Sequence, residues 1–125
     1  MRQVCLVINE LSLILTLRNT PTADAIYQNL PINSHAQTWG NEVYFSVPVS
    51  AQLEQDAKEV VMAGEIAFWT EGSCIAIGFG PTPISTGNEI RLAAATNIWA
   101  DTTDDVKQLH QVQSGDKIRI DKLGD

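Results

Sequence analysis

The stretch Phe79-Gly80-Pro81-Thr82-Pro83-Ile84-Ser85 constrains the fold of this chain more than any other. It follows the apolar run Cys74-Ile75-Ala76-Ile77-Gly78, which reads as a buried strand. Proline fixes φ and has no amide hydrogen for a ladder, so two prolines around a threonine take the chain out of the sheet in one stiff shape. An aromatic ring, Phe79, stands at the exit. Binding groups are commonly placed on such loops at strand ends, so a site is expected beside residues 79–85.

The rest of the chain is dominated by period-two alternation. Val4, Leu6 and Ile8, then Leu13, Leu15 and Leu17 on either side of Asn9-Glu10, predict an opening hairpin with one buried face. Thr20-Pro21-Thr22-Ala23-Asp24 has the chemistry of a helix start, and Ala23, Ile26, Tyr27 and Leu30 fall on one face of a short helix that ends at Pro31. Residues 32–39 and 42–47 read as strands around a Gly40-Asn41 turn, with Val43, Phe45 and Val47 facing one way and Glu42, Tyr44 and Ser46 the other. Residues 50–59 are polar and read as a helical turn or a loop. Further strands are expected near 65–70, 74–79, 89–100 and 116–121, and a short helix capped at Thr103 is expected within 101–110. Val61-Met62-Ala63-Gly64-Glu65 and Val112-Gln113-Ser114-Gly115-Asp116 share a Val-x-x-Gly-acid pattern before an apolar strand. It predicts two similar corners whose glycines take positive φ. The core is expected to contain Val43, Phe45, Ile66, Phe68, Ile75, Ile77, Ile118 and Ile120.

A chain of 125 residues forms one domain, 1–125, and at that size about two-thirds of the unfolded surface can be buried. The net charge of −7 and the scattered Lys and Arg argue against nucleic acid or an anionic membrane as partner. A small molecule, an extended peptide, a partner protein or a second copy of the chain fits better. The apolar run after Arg2 breaks at Asn9-Glu10, too early for a signal peptide, and no segment has the length of a membrane span; a cytoplasmic location is the expectation. Cys5 and Cys74 lie in apolar strand-like runs and read as small buried hydrophobes, with a disulfide open only if the two strands are neighbours.

Trp39-Gly40-Asn41-Glu42-Val43-Tyr44-Phe45, Gly64-Glu65-Ile66-Ala67-Phe68-Trp69, Phe79-Gly80-Pro81-Thr82-Pro83, Asn97-Ile98 and Gly115-Asp116-Lys117-Ile118-Arg119-Ile120 occur in that order. Together they resemble the small prokaryotic cyclophilin-like domain family, over most of the chain from the opening hairpin to residue 120. The resemblance implies a mainly β fold: a closed antiparallel barrel of about eight strands with short capping helices. True cyclophilins place an arginine just after a phenylalanine in a Phe-x-Arg element for prolyl isomerisation. Arg2, Arg18, Arg91 and Arg119 are the only arginines here, and none stands in such an element.

The candidate ligand-binding residues are Trp39, Glu42, Tyr44, Phe79, Thr82, Arg91 and Asn97. Glu42 and Tyr44 share a strand face beside Trp39, and an acid among aromatic rings can bind an amine or polarise a carbonyl, burial raising its pKa. It can equally bond backbone amides at its own corner. Thr82 is presented between two prolines or satisfies its own turn; Phe79 lines a pocket mouth or plugs the barrel. Arg91 reaches a barrel face or stays solvated, and Asn97 contacts a ligand or ties strands together. His35 and His110, even with both cysteines, lack metal-ligand spacing. No nucleotide or nucleophile motif is present, so no metal, cofactor or catalytic set is expected. The expectation is a binding module without isomerase activity. The alternatives are a peptidyl-prolyl isomerase and an accessory subunit of an ATP-dependent amide-cleaving enzyme, both resting on fold alone.

Overall fold

The computed structural model describes residues 1–124. The described residues form ten strands, most of them from alternating apolar residues: β1 (Gln3–Ile8), β2 (Leu11–Leu17), β3 (Ile32–His35), β4 (Gln37–Thr38), β5 (Glu42–Ser46), β6 (Lys58–Val61), β7 (Glu65–Trp69), β8 (Cys74–Gly78), β9 (Ile90–Asp101) and β10 (Lys117–Leu123). A helix, α1 (Pro21–Gln28), follows β2, and a 3-10 turn (Val106–Gln111) precedes β10. All registered pairings are antiparallel, in the order β3-β10-β1-β2-β9-β7-β8-β5-β4, with β6 paired to β9 off this path.

The two ends of that order are one continuous piece of chain. β3 pairs with β10, and after the buried Ala36 the chain runs on as β4 against β5. The backbone of Ala36 still bonds β10's approach, through Ala36 N to Asp116 O and Gly115 N to Ala36 O, both 2.8 Å. Ser34 Oγ donates to Ser46 O across the seam at 2.6 Å. With β3 and β4 counted as one stave the nearly closed barrel has eight, as the family resemblance implied, and β6 lies outside it.

The alternation fixes what fills the barrel. Val43, Phe45, Ile66, Phe68, Ile75, Ile77, Ile118 and Ile120 are all buried in a single cluster with the inward residues of β1 and β2. Helix α1 starts where expected: Thr20 is its N-cap, accepting from Ala23 N at 3.1 Å, and Pro21 opens its first turn. Ala23 and Ile26 are buried against the barrel core.

The two Gly-acid corners are built alike. Gly64 and Gly115 have φ of 96° and 95°. In each the acid closes the turn twice: Glu65 N donates to Met62 O and its carboxylate accepts from Met62 N, and Asp116 does the same with Gln113. The expected helix within 101–110 is the shorter 3-10 turn, capped by Asp105 rather than Thr103. Residues 50–57 form a loop, and the chain then becomes the strand β6, which the mixed Lys58-Glu59-Val60-Val61 pattern had not announced. Cys5 on β1 and Cys74 on β8 are free thiols on strands that are not neighbours. No helix among the described residues is long and apolar enough to cross a membrane.

Phe45 and Phe68 are fully buried in the main cluster. Truncation of either to Ala is expected to cost about 3–5 kcal/mol of unfolding free energy in urea titrations; losses under about 1 kcal/mol at both would contradict the packing described.

Candidate functional site

A second apolar layer covers one outer face of the barrel. β9 is long enough to belong to both layers. Its C-terminal part pairs with β2 and β7, while its N-terminal part leaves the barrel and pairs with β6. Five residue steps on β9, from Thr96 to Arg91, lie opposite two on β6, from Lys58 to Val60, so β9 bulges between them. Val61, Ala67, Ala76, Ile90, Leu92 and Ile98 pack together in this layer, with Tyr44 against them.

The candidate site is the part of this outer face that the β6–β9 arm leaves uncovered. Its floor is β8, whose inward residues are Ile75 and Ile77 and whose outward residues are only Cys74, Ala76 and Gly78. Large side chains stand on both neighbours: Glu42 opposite Gly78 and Tyr44 opposite Ala76 on β5, and Trp69 opposite Cys74 on β7. Small residues between large ones make a furrow. At its Gly78 end a Cβ would lie 2.3 Å from Ile90 Cγ2, so the arm fills that space and closes the furrow there. Leu92, Ala93, Ala94 and Thr96 of β9 form the remaining wall, and Trp39 stands beside Glu42. The furrow, open on one side, has a volume of about 220 Å3.

Three polar side chains around the pocket are engaged within the protein. The Tyr44 hydroxyl donates to Gln37 Oε1 at 3.1 Å, and Thr96 Oγ1 donates to Lys58 O at 2.9 Å. The Cys74 thiol donates to Gly72 O at 3.4 Å. Two buried atoms are not engaged: Glu42 Oε1 and the Trp69 indole nitrogen both lack a hydrogen-bond partner. The Trp69 ring cannot swing away freely, because it packs onto Gly72, where a Cβ would fall 2.1 Å from its Cζ3. Glu42 is 7% exposed, and burial among apolar groups pushes its carboxyl pKa up to about 7.

The structure brings three of the seven sequence candidates, Trp39, Glu42 and Tyr44, to this pocket and places the other four elsewhere. Phe79 packs, half-buried, against the barrel core. Thr82 donates its hydroxyl to Arg91 O and receives no pocket exposure, while Ser85 Oγ accepts from both Thr82 N and Arg91 N. The Arg91 guanidinium is held by Glu59 and, at 2.6 Å, by Glu89. Asn97 faces the barrel interior and is fully used: its Oδ1 accepts from Glu54 N, and its Nδ2 donates to Thr22 Oγ1 and Gln52 O. The proline loop is thus stiff for a structural reason. It clamps the Gly40-Asn41 turn, through Asn41 N to Pro81 O at 3.1 Å and Phe79 N to Asn41 O at 2.8 Å, and so fixes the start of β5 that carries Glu42. The sequence reading missed Trp69, although Glu65-Ile66-Ala67-Phe68-Trp69 alternates and puts Trp69 opposite to the core residues Ile66 and Phe68.

Residues 2–121 match the sequence model of the cyclophilin-like family. The chain belongs to that family. Among solved structures it is similar to the solution structure of the hypothetical protein AF2241 from Archaeoglobus fulgidus, at 31% identity and a TM-score of 0.83, over 97% of this chain and 94% of that one. It also resembles McbB, solved in complex with tryptophan, at 14% identity and a TM-score of 0.69. There the alignment covers 98% of this cyclophilin-like chain but 45% of McbB, a likeness of fold alone. No curated protein matches the sequence.

The raised Glu42 pKa has a consequence for stability. In the unfolded chain the carboxyl returns to its ordinary value of 4.5, so between that and about 7 the folded state holds a proton that the unfolded state has lost. The stabilisation is therefore present at low pH and is lost as pH rises through about 7. Glu42→Gln removes this dependence. Its unfolding free energy relative to the parent is expected to improve by about 2–3 kcal/mol between pH 5 and pH 8; a pH-independent difference in urea titrations would refute the burial effect.

Proposed function

We propose that this cyclophilin-like chain is a small-molecule binding module whose ligand occupies the furrow over β8. The observation that carries the reading is the pair of unpartnered buried atoms, Glu42 Oε1 and Trp69 Nε1, on the two walls of one apolar pocket. Burying a polar group without a hydrogen bond is costly, and such groups are few in folded proteins. A ligand that offers a donor to Glu42 and an acceptor to the Trp69 N–H removes both penalties at once. Aromatic and aliphatic walls with a few unspent polar groups are the usual makeup of a small-ligand pocket. A space of about 220 Å3 suits a compact molecule, or one side chain of a peptide, better than an extended peptide. Trp39, Glu42, Tyr44 and Trp69 are the residues assigned to ligand contact.

Prolyl isomerisation is the less favoured reading. Each arginine is committed elsewhere: Arg2 to Asp24, Arg18 to Asp101 and Glu65, Arg91 to Glu59 and Glu89, and Arg119 to Asp121. None borders the pocket, so no guanidinium is there to act on a twisted amide.

A compact-fragment library titrated into 15N-labelled protein tests the binding reading. Shifts should concentrate on β5, β7 and β8 and include the Trp69 indole N–H; a library that moves none of these resonances counts against a ligand pocket. In a protease-coupled assay on an Ala-Pro peptide, turnover should not exceed the uncatalysed rate. Turnover comparable with that of true cyclophilins would overturn this part of the proposal.

A further inference from the structure

The pocket's chemistry narrows the class of ligand, an inference that rests on the binding reading above. Three aromatic side chains, Trp39, Tyr44 and Trp69, border the same space as one carboxyl, Glu42. Aromatic faces attract cations through their quadrupole when the charge lies within about 6 Å of the ring centroid. No Lys, Arg or His is among the lining residues, so nothing there compensates an anion. The charged groups on the flanking strands β6, β7 and β9 are already paired, and the only other one beside the pocket wall, Glu71 in the β7–β8 turn, is an acid as well. Glu65 on β7 is bound by Lys58 and Arg18, and Arg91 on β9 by Glu59 and Glu89. The remaining titratable groups on the pocket wall are the Tyr44 phenol and the Cys74 thiol.

From this arrangement we infer that the pocket selects a protonated amine: an organic ammonium with at least one N–H directed at the Glu42 carboxylate and its carbon substituents against Trp39, Tyr44 and Trp69. A quaternary ammonium satisfies the rings but leaves Oε1 without a donor. A carboxylate or phosphate meets a lone acid. A neutral alcohol can bond Oε1 but gains nothing from the rings' negative faces. The overall charge of −7 adds a long-range field of the same sense.

Binding of an ammonium requires the ionised carboxyl, so affinity depends on the protonation of Glu42. With its pKa at about 7, the ammonium competes with a proton for Glu42 below neutrality. The ligand amine itself stays charged up to about pH 9. The expected profile rises with pH through 7 and then levels, the reverse of what loss of charge on the amine would give.

Benzylamine, benzyl alcohol and benzoate share one ring and differ in charge, so they serve as the probes, with binding followed at the Trp69 indole N–H resonance. At pH 8.5 benzylamine should bind at least tenfold more tightly than benzyl alcohol, and benzoate should not bind. Between pH 8.5 and 5.5 the benzylamine affinity should fall about thirtyfold, and in Glu42→Gln that fall should vanish. The wild-type profile stands by itself should the variant not fold. If benzyl alcohol and benzylamine bind there equally, or benzylamine affinity is flat with pH, the ammonium assignment is overturned while the pocket reading stands. If none of the three moves the Trp69 resonance although other fragments do, the assignment again fails and the pocket reading stands.

Discussion

The architecture depends on β9 being buried on both faces. Residues 96–100 are all buried, a pattern that a strand with one solvated face does not show. Asn97 and Trp99 point into the barrel while Thr96 and Ile98 point into the outer layer. The strand can serve both because its register breaks where the layers part. A bulge sits opposite Ile66 and Ala67 on the β7 side, and the Trp99 indole N–H donates to Ala67 O there at 3.3 Å. Bulges bend a strand and increase its twist. Here that bend sends residues 90–95 across the barrel's outer face rather than along its rim. Without the bend there is a barrel but no wall over β8, and therefore no pocket.

Much of the barrel was legible because large apolar residues recur at every second position on the inward face of most staves. The eight core residues inferred from alternation all reached the main cluster for that reason. The Gly-acid corners were legible too, since positive φ and a carboxylate that can reach back to an amide are local requirements. What alternation could not reveal was the second layer. Lys58-Glu59-Val60-Val61 is half charged, and Leu92-Ala93-Ala94-Ala95 has no period of its own. Lys58–Val61 is a strand because it pairs with residues 90, 91 and 96 of β9 across a register break, a non-local condition absent from any short window.

The site was legible in part, and the division follows from what rigidity is for. Glu42 and Tyr44 were found because they occupy the face opposite Val43 and Phe45, and Trp39 because it adjoins them. Phe79 and Thr82 drew attention for standing in a proline-stiffened loop, and Arg91 for its place on a strand, but the loop's stiffness is directed inward at Gly40-Asn41 and Arg91 is held by Glu59 and Glu89. A Cβ on Gly40 would lie 2.8 Å from Pro83 Cδ, and one on Gly80 2.8 Å from Asn41 Nδ2. The loop therefore acts on the pocket through the β5 turn without lining it. The better signal was in the strand before it. Cys74-Ile75-Ala76-Ile77-Gly78 pairs large inward residues with three of the smallest on the outer face. Since apolar outward positions on a covered sheet are normally filled by bulk, a row of small ones marks either close packing or a furrow. Here it marks both: Ile90 packs against Gly78, and the space opens beside Ala76 and Cys74.

Glu42 is the element that fold stability does not account for. Its neighbour Asn41 is tied into the proline loop by two backbone bonds, so the corner needs no carboxylate. Its strand partner Gly78 offers no donor side chain, and its Oε1 is left bare. An apolar residue of similar volume at this position would fit the second cluster and escape the desolvation that raises the carboxyl's pKa. Asn97, buried as deeply, shows the contrast: its amide bonds α1 and the 50–57 loop, and the fold visibly uses it. A buried polar group that the fold uses is partnered, and one that it does not use is a candidate for service to a ligand. Glu42 and Trp69 are of the second kind, and they line one pocket from opposite sides and opposite ends of the smallest residues on the sheet.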